Sequence, residues 1–548
     1  MENINHQFPA ADFTDFPPDL QLFDEDSFPD FGIMDMAELE FLCGSQAEEE
    51  EDEEREEEEE EELKRLSYDN DQQQQQQPFN PRAWFDILKH RLSSSTTAKR
   101  NRDSATAAAD GSRQLWTNEI IKLAGARIIQ SRSSMQGIDV PSMLNNPFHI
   151  FPPASDDGGL TPEEAKNVEL MEYLLACAEK VGKRSFDRAA GLLSICDRLA
   201  SQTGNPVQRV GYYFCNALRQ RIEGQETQAG GKYRKPFDSD TAVTLPDKNA
   251  LEFRNRVPFY NASQLAAVQI MVENVDGEKR IHLIELRMGS GLPAIALMQA
   301  LSGRPDPIER LRITALANDA AEEQFMEAST GRRLADFARG MGLPFSFNAV
   351  RFCTFPSGAH KDQLDLEPNE AAVVLSEFAL GPMIGRPKRL EAMMKLIRTV
   401  RPRVMVVIET EANHNAPDFG HRFVEALFTV GGYFDCLATC MEGNEEARAA
   451  VESWYLNDRI RNVLVAEGEE RIIRDVKIRV WRKYFARFGM LEIPVRGLAL
   501  QHANLVIRRS PYAGSCLVAL DYKSLMIGWK DVPLLFVSAW KFMKAIPH

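Results

Sequence analysis

Residues 280–301, RIHLIELRMGSGLPAIALMQAL, constrain the fold more than any other stretch. A short apolar run ends on an acid, Glu285. A turn carrying Gly289 and Gly291 follows, and Pro293 opens an apolar helix. A run this apolar fits a strand buried on both faces. Strand, acid, glycine turn and helix in that order is how the first strand of a nucleotide-binding α/β sheet is written.

The pattern continues downstream. Apolar, β-branched runs predict strands at 281–285, 311–316, 345–352, 372–376, 404–410, 516–520, 524–529 and 534–538. Helical spacing predicts helices at 292–301, 331–341, 387–400 and 419–430. Alternating strands and helices imply an α/β fold, a mainly parallel sheet with helices on both faces. The close spacing at 521–523 makes the last strands a hairpin, hence antiparallel.

Three helices precede this body. Thr161–Pro162–Glu163–Glu164 reads as a capping box with Pro in the first turn. Ser185 reads as the cap of the second helix and Asn205–Pro206 as the start of the third. They form a helical cap over 161–223, ahead of an α/β body at 250–548. Leu174, Leu175, Leu192, Leu193, Phe214 and Leu218 make apolar stripes on it. Such stripes are core, or a partner surface where the body cannot cover them.

Charge separates the chain into two unlike parts. The 64 Lys+Arg and 81 Asp+Glu give a net charge of −17. Residues 1–71 hold 27 acidic residues against Arg55, Lys64 and Arg65, a net of −24, which leaves +7 for the remainder. Residues 8–42 alternate acids with Phe, Leu and Met, the composition of disordered activation segments. Residues 48–62 are nearly all acidic and 72–77 are glutamine. Residues 1–110 therefore read as a disordered acidic and aromatic tail, and 111–160 as a linker with one short helix near 115–129. Within the tail, 81–92 reads as a short amphipathic docking helix with Trp84, Phe85, Leu88 and Leu92 on one face. Lys89–His90–Arg91 and Lys99, Arg100 and Arg102 make a weak bipartite import signal.

No segment reads as a membrane span, and the acidic N-terminus does not read as a secretory leader. The eight cysteines are scattered. Cys436 and Cys440 lie one helical turn apart without a second ligand pair, so no metal site is expected.

Several motifs in order resemble those of the plant GRAS family over about residues 164–545. The first leucine-rich region is represented by Leu174–Leu175–Ala176–Cys177–Ala178–Glu179, and by Arg209–Val210 through Leu218. Ile281–His282–Leu283–Ile284–Glu285 stands where the family writes V-H-I-I-D. Gly331–Arg332–Arg333–Leu334 with Phe337–Ala338 resembles the second leucine-rich region. Glu411–Ala412–Asn413–His414–Asn415, then Pro417, is the most distinctive match. Arg448 and Glu452 keep an R-x-x-x-E spacing, Trp481 and Gly528–Trp529 follow, and Ser538–Ala539–Trp540 closes the series. There are departures. Glu285 replaces Asp, Thr429–Val430 replaces a tyrosine pair, and Ile473 and Val476 replace acids beside Arg474. Residues 1–150 lack a D-E-L-L-A segment, so the resemblance is to the non-DELLA type.

The resemblance implies a Rossmann-like, methyltransferase-type sheet. A cofactor such as S-adenosylmethionine would meet Glu285, Gly289, Gly291 and, at its ribose, Asp319. Arg287 stands where the first glycine of that loop belongs, which makes it a relic loop, and no cofactor is expected. Glu409, Glu411, Asn413 and His414 cluster beyond a strand end, where α/β ligands bind, but no Ser or Cys nucleophile is coupled to them. His282, inside a strand, reads as a core histidine. Residues 471–487 read as an amphipathic helix with a solvated basic face, bearing Arg474, Lys477, Arg482 and Lys483.

The expected function is a nuclear transcriptional regulator. Its folded part is expected to be a non-enzymatic scaffold for other GRAS-family proteins and DNA-binding factors, with DNA contacted indirectly. The tail is expected to recruit the transcription machinery. The alternatives are a methyltransferase-like ligand binder and a direct DNA-binding factor.

Overall fold

The computed structural model describes residues 84, 86–89, 91, 115–135, 160–227, 247–289, 291–352, 364–495 and 497–543. The acidic stretches, the glutamine tract and the basic cluster at 99–102 lie outside the described residues, as do Cys43 and Cys353.

A short helix carries Trp84, Ile87, Leu88 and Arg91. Helices α1 (Thr117–Met135), α2 (Pro162–Gly182), α3 (Phe186–Leu199) and α4 (Pro206–Thr227) follow, then α5 (Asp247–Arg256) and α6 (Pro258–Asn274). The body continues as β1 (Arg280–Glu285), α7 (Leu292–Ser302), β2 (Arg310–Ala317), α8 (Ala320–Phe325), α9 (Arg332–Gly340), β3 (Phe345–Arg351) and β4 (Ala371–Glu377). Next come α10 (Pro387–Val400), β5 (Val404–Thr410), α11 (Phe419–Cys440), α12 (Glu445–Ala450), α13 (Asn457–Leu464) and α14 (Ile478–Arg487). The chain closes with β6 (Met490–Ile493), α15 (Leu498–Arg509), β7 (Cys516–Asp521), β8 (Ser524–Trp529) and β9 (Val532–Phe542).

The domain is rich in helix around one mixed sheet of order β3-β2-β1-β4-β5-β9-β8-β7, with β6 also paired to β9. Strands β1 to β5 are parallel, and β6 to β9 join antiparallel. The sheet is therefore less parallel than the alternation implies. The β7–β8 hairpin is where the sequence puts it, whereas β6, α5, α6 and α15 carry no clear sequence signal.

Strand β1 sits between β2 and β4, where the strand order reverses. Its period-2 pleat sends Ile281 and Leu283 into one core and Ile284, followed by Leu286, into the other. Burial on both faces explains the unbroken apolar run. Beyond it, Gly291 adopts φ +76°, a left-handed conformation that a side chain strains, and caps α7.

Helix α11 is the hub between cap and sheet, packing on α1, α2, α4 and α13 and on β8 and β9. It corrects the expectation of no span-length segment: it is 22 residues long and apolar enough to cross a membrane, yet 89% of its apolar window is buried in the fold. Its polar groups are satisfied internally. Asp435 accepts from the Thr117 hydroxyl at 2.6 Å. Glu425 accepts from Arg91 Nε at 2.7 Å.

That last contact revises the tail. Trp84 and Leu88 are buried in the main core, with Trp84 6.3 Å from Phe423. The amphipathic segment does dock, but onto its own chain, and Arg91 is held in a partly buried ion pair with Glu425. Helix α1 packs on α2 and α11. Trp84, Leu88 and Arg91 and the helix α1, which the sequence places in the tail and the linker, thus pack on the folded body, and the expected short helix near 115–129 is present as α1.

In the cap, the expected capping box is present: Thr161 Oγ1 accepts from Glu164 N, and Glu164 accepts from Thr161 N at 2.9 Å. Glu164 also accepts from Leu115 N at 2.7 Å, tying the cap to α1. Asn205 Oδ1 caps α4 through Gln208 N at 3.0 Å. Ser185 precedes α3 but its side chain makes no capping bond, which corrects that reading.

Candidate functional site

The carboxyl ends of β1, β4 and β5 bring four acids to one edge of the sheet. Register pairs Glu285 with Leu375 and Glu377 with Ile408, so Glu285 and Glu377 share one face of the sheet, while the pleat turns Glu409 to the other. Glu285 is 2% exposed, its Oε1 has no hydrogen-bond partner, and burial together with the Glu377 charge pushes its carboxyl up to about 8. Glu377 accepts from Gln264 Nε2 on α6 at 2.7 Å. Glu409 is pushed up to about 8 by burial, although it accepts from the backbone of Leu380 (2.8 Å) and Gly381 (3.1 Å). A Cβ on Gly381 would fall 2.9 Å from Glu409 Oε2, so a side chain there would push the carboxylate aside. Glu411 accepts from Ile478 N at 2.9 Å at the start of α14, and burial raises it to about 7.

Two arginines occupy the loop that a cofactor would need. Arg287 Nη1 donates to the Phe378 carbonyl at 3.2 Å, fixing its side chain across to the end of β4. The Arg254 guanidinium of α5 lies 3.8 Å from where a Gly289 Cβ would stand. Asp319 is not poised for a ribose: its Oδ1 accepts from Glu322 N at 2.8 Å and caps α8. Of the relic-loop residues, Glu285, Gly289 and Gly291 come together and Asp319 serves a helix instead.

The Glu411–Asn415 motif is woven into the segment before α14. His414 Nδ1 lies 2.9 Å from Asp475 Oδ2, and His414 N donates to the Asp475 carbonyl at 2.8 Å. Burial opposes ionisation of Asp475, but Arg459 and His414 outweigh it and hold the carboxyl below its usual range. Arg459 lies 5.7 Å from the Tyr455 ring centre, and Tyr455 with Tyr260 and Tyr433 forms a buried phenol cluster. Asn415 accepts from Arg474 Nη1 at 3.2 Å, and Asn413 Nδ2 meets His421 at 3.4 Å. Asn413 Oδ1 and His414 Nε2 are buried without partners. Ser376, one residue before Glu377, has a buried hydroxyl without a partner, so no base activates it.

The remaining motif residues hold the fold. His282 Nε2 meets Thr314 Oγ1 at 2.8 Å, and burial with Arg312 and Arg310 drives its ring down to about 3, keeping it neutral. Glu452 accepts from Arg448 (2.9 Å) and from Arg209 of α4 (3.0 Å), which locks the cap to the body. Trp481 stacks on Phe485, and Phe485 meets Trp540 edge-on at 4.8 Å. Trp540 Nε1 donates to Ser538 Oγ at 2.9 Å, and Trp529 is fully buried.

Two expectations are corrected. Leu174, Leu175, Leu192, Leu193, Phe214 and Leu218 are all core, none more than 5% exposed, because α2, α3 and α4 turn their apolar stripes toward one another and α11. In this conformation they cannot touch a partner. The basic stretch 471–487 is helical only from Ile478, and Arg471 and Arg474 are buried instead of lining a solvated face. Arg474, without acids at 473 and 476, donates to the carbonyls of Arg471 and Gly468, both at 2.8 Å. Sequence reading missed Arg254, Tyr260, Gln264, Glu377, Arg459 and Asp475. Only Glu377 carried a signal, an acid directly after a predicted strand.

The GRAS domain family model matches residues 170–541. The chain belongs to the GRAS domain family. Among curated relatives, it is 29% identical to "DELLA protein GAI" of Arabidopsis thaliana over 385 residues, 70% of each chain. It is 30% identical to "DELLA protein RGL3" of the same plant over 388 residues, 69% of this chain and 70% of that one. It is 27% identical to "DELLA protein GAIP" of Cucurbita maxima, covering 64% of that protein. The crystal structure of SCL7 from Oryza sativa is 25% identical and superposes with a TM-score of 0.58, covering 68% of this chain and 99% of that one. GRAS membership supports, in general terms, a nuclear regulatory role exercised through protein interaction, and is consistent with a protein that is not an enzyme.

Proposed function

We propose that this GRAS protein is a nuclear transcriptional co-regulator of the non-DELLA type, working as an interaction scaffold. The observation that supports it most is the loop after β1. A GRAS sheet keeps the acid, Glu285, and the turn, Gly289 and Gly291, but Arg254 and Arg287 of the same chain stand in that loop. On this reading the sheet is of methyltransferase type by descent and serves as a frame, with no cofactor bound.

The partners are other GRAS-family proteins and DNA-binding transcription factors, and DNA is contacted through them. Since the leucine stripes are core, the pairing surface is the outer side of the cap, where Arg188, Ala190, Gly191, Ser194 and Arg198 of α3 are exposed. The acidic, aromatic residues 1–71 recruit the transcription machinery, because like charges keep Phe and Leu side chains apart and available to a groove. A DNA-tethered fusion tests this. Deleting residues 1–71 reduces reporter output; unchanged output removes the tail's role. Ala190→Glu on the outer face of α3 reduces co-purification of the partner while the melting temperature holds; intact co-purification moves the surface elsewhere.

A further inference from the structure

Between the cap and the end of α13, four buried arginines gather around one carboxylate that only two of them touch. Arg221 of α4, Arg422 of α11, Arg471 and Arg474 are each at most 7% exposed. Arg221 Nη2 and Arg422 Nη2 both reach Glu467 Oε1, at 2.8 and 2.7 Å. The same two side chains donate to the C-terminal carbonyls of α13, Arg221 to Leu464 (2.7 Å) and Arg422 to Val463 (3.2 Å). Arg422 also donates to the carbonyls of Ala416 and Pro417. That is a sound arrangement for two guanidiniums at a helix C-terminus, where the backbone dipole is negative.

Arg471 and Arg474 have no such compensation. Arg474 finds two carbonyls and the Asn415 amide oxygen. Arg471 makes one bond, Nη1 to the His414 carbonyl at 2.8 Å, and its buried Nε has no partner. Glu470, beside Arg471 in sequence, is exposed, and Asp475, beside Arg474, is taken by Arg459 and His414. Among the described side chains the cluster therefore carries four positive charges against the one of Glu467. Burial and the neighbouring Arg422 and Arg474 drag the Arg471 guanidinium down to about 8, and burial with Arg422 lowers Arg474 to about 10. Buried charge without a counter-charge is costly, and a forked guanidinium without an acceptor is suited to an oxyanion.

We propose that Arg471, with Arg221, Arg422 and Arg474, forms a binding site for a phosphate group carried by a small soluble molecule. A dianionic phosphate offsets most of the excess charge and offers acceptors to the Arg471 fork. Access is through Glu467, whose side chain is 35% exposed, and the exposed Gly468. A nucleic-acid backbone does not fit, since the guanidiniums that would read it lie below the surface.

The test is thermal denaturation of the full chain titrated with inorganic phosphate and pyrophosphate, against chloride at matched ionic strength. The site predicts a saturable rise in melting temperature with either phosphate. Arg471→Gln weakens the apparent affinity about tenfold or more, whereas Arg339→Gln on the exposed side of α9 leaves it unchanged. If Arg471→Gln does not fold, Glu467→Gln serves instead: removing the one competing carboxylate tightens phosphate binding. An equal rise in chloride, or an equal response in wild type and Arg471→Gln, overturns the site. So does unchanged or weaker affinity in Glu467→Gln. A short DNA duplex that displaces phosphate overturns the small-molecule assignment.

Discussion

Replacing Glu285 by Gln should stabilise this protein in a pH-dependent way. Glu285 lies at the end of β1, 2% exposed, with one oxygen unbonded and Glu377 beside it. Its folded-state carboxyl titrates near 8, raised from 4.5. A raised acid contributes fully below the unfolded pKa, and that contribution is lost as pH climbs toward the folded value. Between pH 5 and 7.5 the folded chain keeps a proton that the unfolded chain releases. At about 1.36 kcal/mol per pH unit, the wild type loses about 3 kcal/mol from this group across that window. Glu285→Gln is isosteric and neutral throughout, so it loses none. Unfolding about 370 residues at about 2.1 cal/mol/K each converts the difference to about 4 °C. The assay is thermal denaturation of both chains at pH 5 and pH 7.5. The gap in melting temperature between variant and wild type should widen by that amount at the higher pH. Titrating groups that do not feel the Glu285 charge are common to both chains and cancel, which leaves only the neighbouring Glu377 to respond to the substitution. A gap that does not change with pH, or that narrows, refutes the burial argument for the carboxyl edge.

Other expectations follow from the same geometry. Trp84→Ala, at a side chain almost wholly buried against Phe423, should cost about 3–5 kcal/mol in urea unfolding; a loss under about 1 kcal/mol would mean that the segment does not dock on its own chain. Glu452→Ala leaves Arg209 and Arg448 without their shared acid and should cost about 3–5 kcal/mol, with proteolysis appearing first in the cap; cleavage starting in the sheet would break the link drawn between α4 and the body. Calorimetry with millimolar S-adenosylmethionine should show no heat for the wild type or for Arg287→Gly, because the Arg254 guanidinium remains beside Gly289; binding by either would reopen the cofactor reading.

Much of the architecture is legible in the sequence because the strands are written plainly. The β1 run has one reading, since a segment apolar on both sides must lie inside a sheet. The hairpin at 521–523 and the capping box at Thr161 are local chemistry, and local chemistry can be read without knowing the fold. What was not legible depends on distant partners. Helix α6 is buried nearly all round, so it shows no amphipathic stripe to announce it. Arg254 reaches Gly289 only because α5 folds over the β1 loop. Asp475 and Arg459 become a unit with His414 only in three dimensions. The leucine stripes are plain in the sequence as apolar faces, but whether such a face meets the chain's own core or another protein is decided by packing, and here the cap helices and α11 cover them together. Ile473 and Val476, where acids would stand near Arg474, are in keeping with its bonds to carbonyls, since the adjacent Asp475 is engaged by Arg459 and His414.

The central claim is that this GRAS protein acts by holding other proteins. Affinity purification of the tagged full chain from plant nuclei, with quantification of what accompanies it, tests that most directly. The account predicts near-stoichiometric recovery of a second GRAS-family protein or a sequence-specific DNA-binding factor, lost with Ala190→Glu on the outer face of α3. Recovery of the chain alone, monomeric and carrying a bound S-adenosylmethionine, would contradict it.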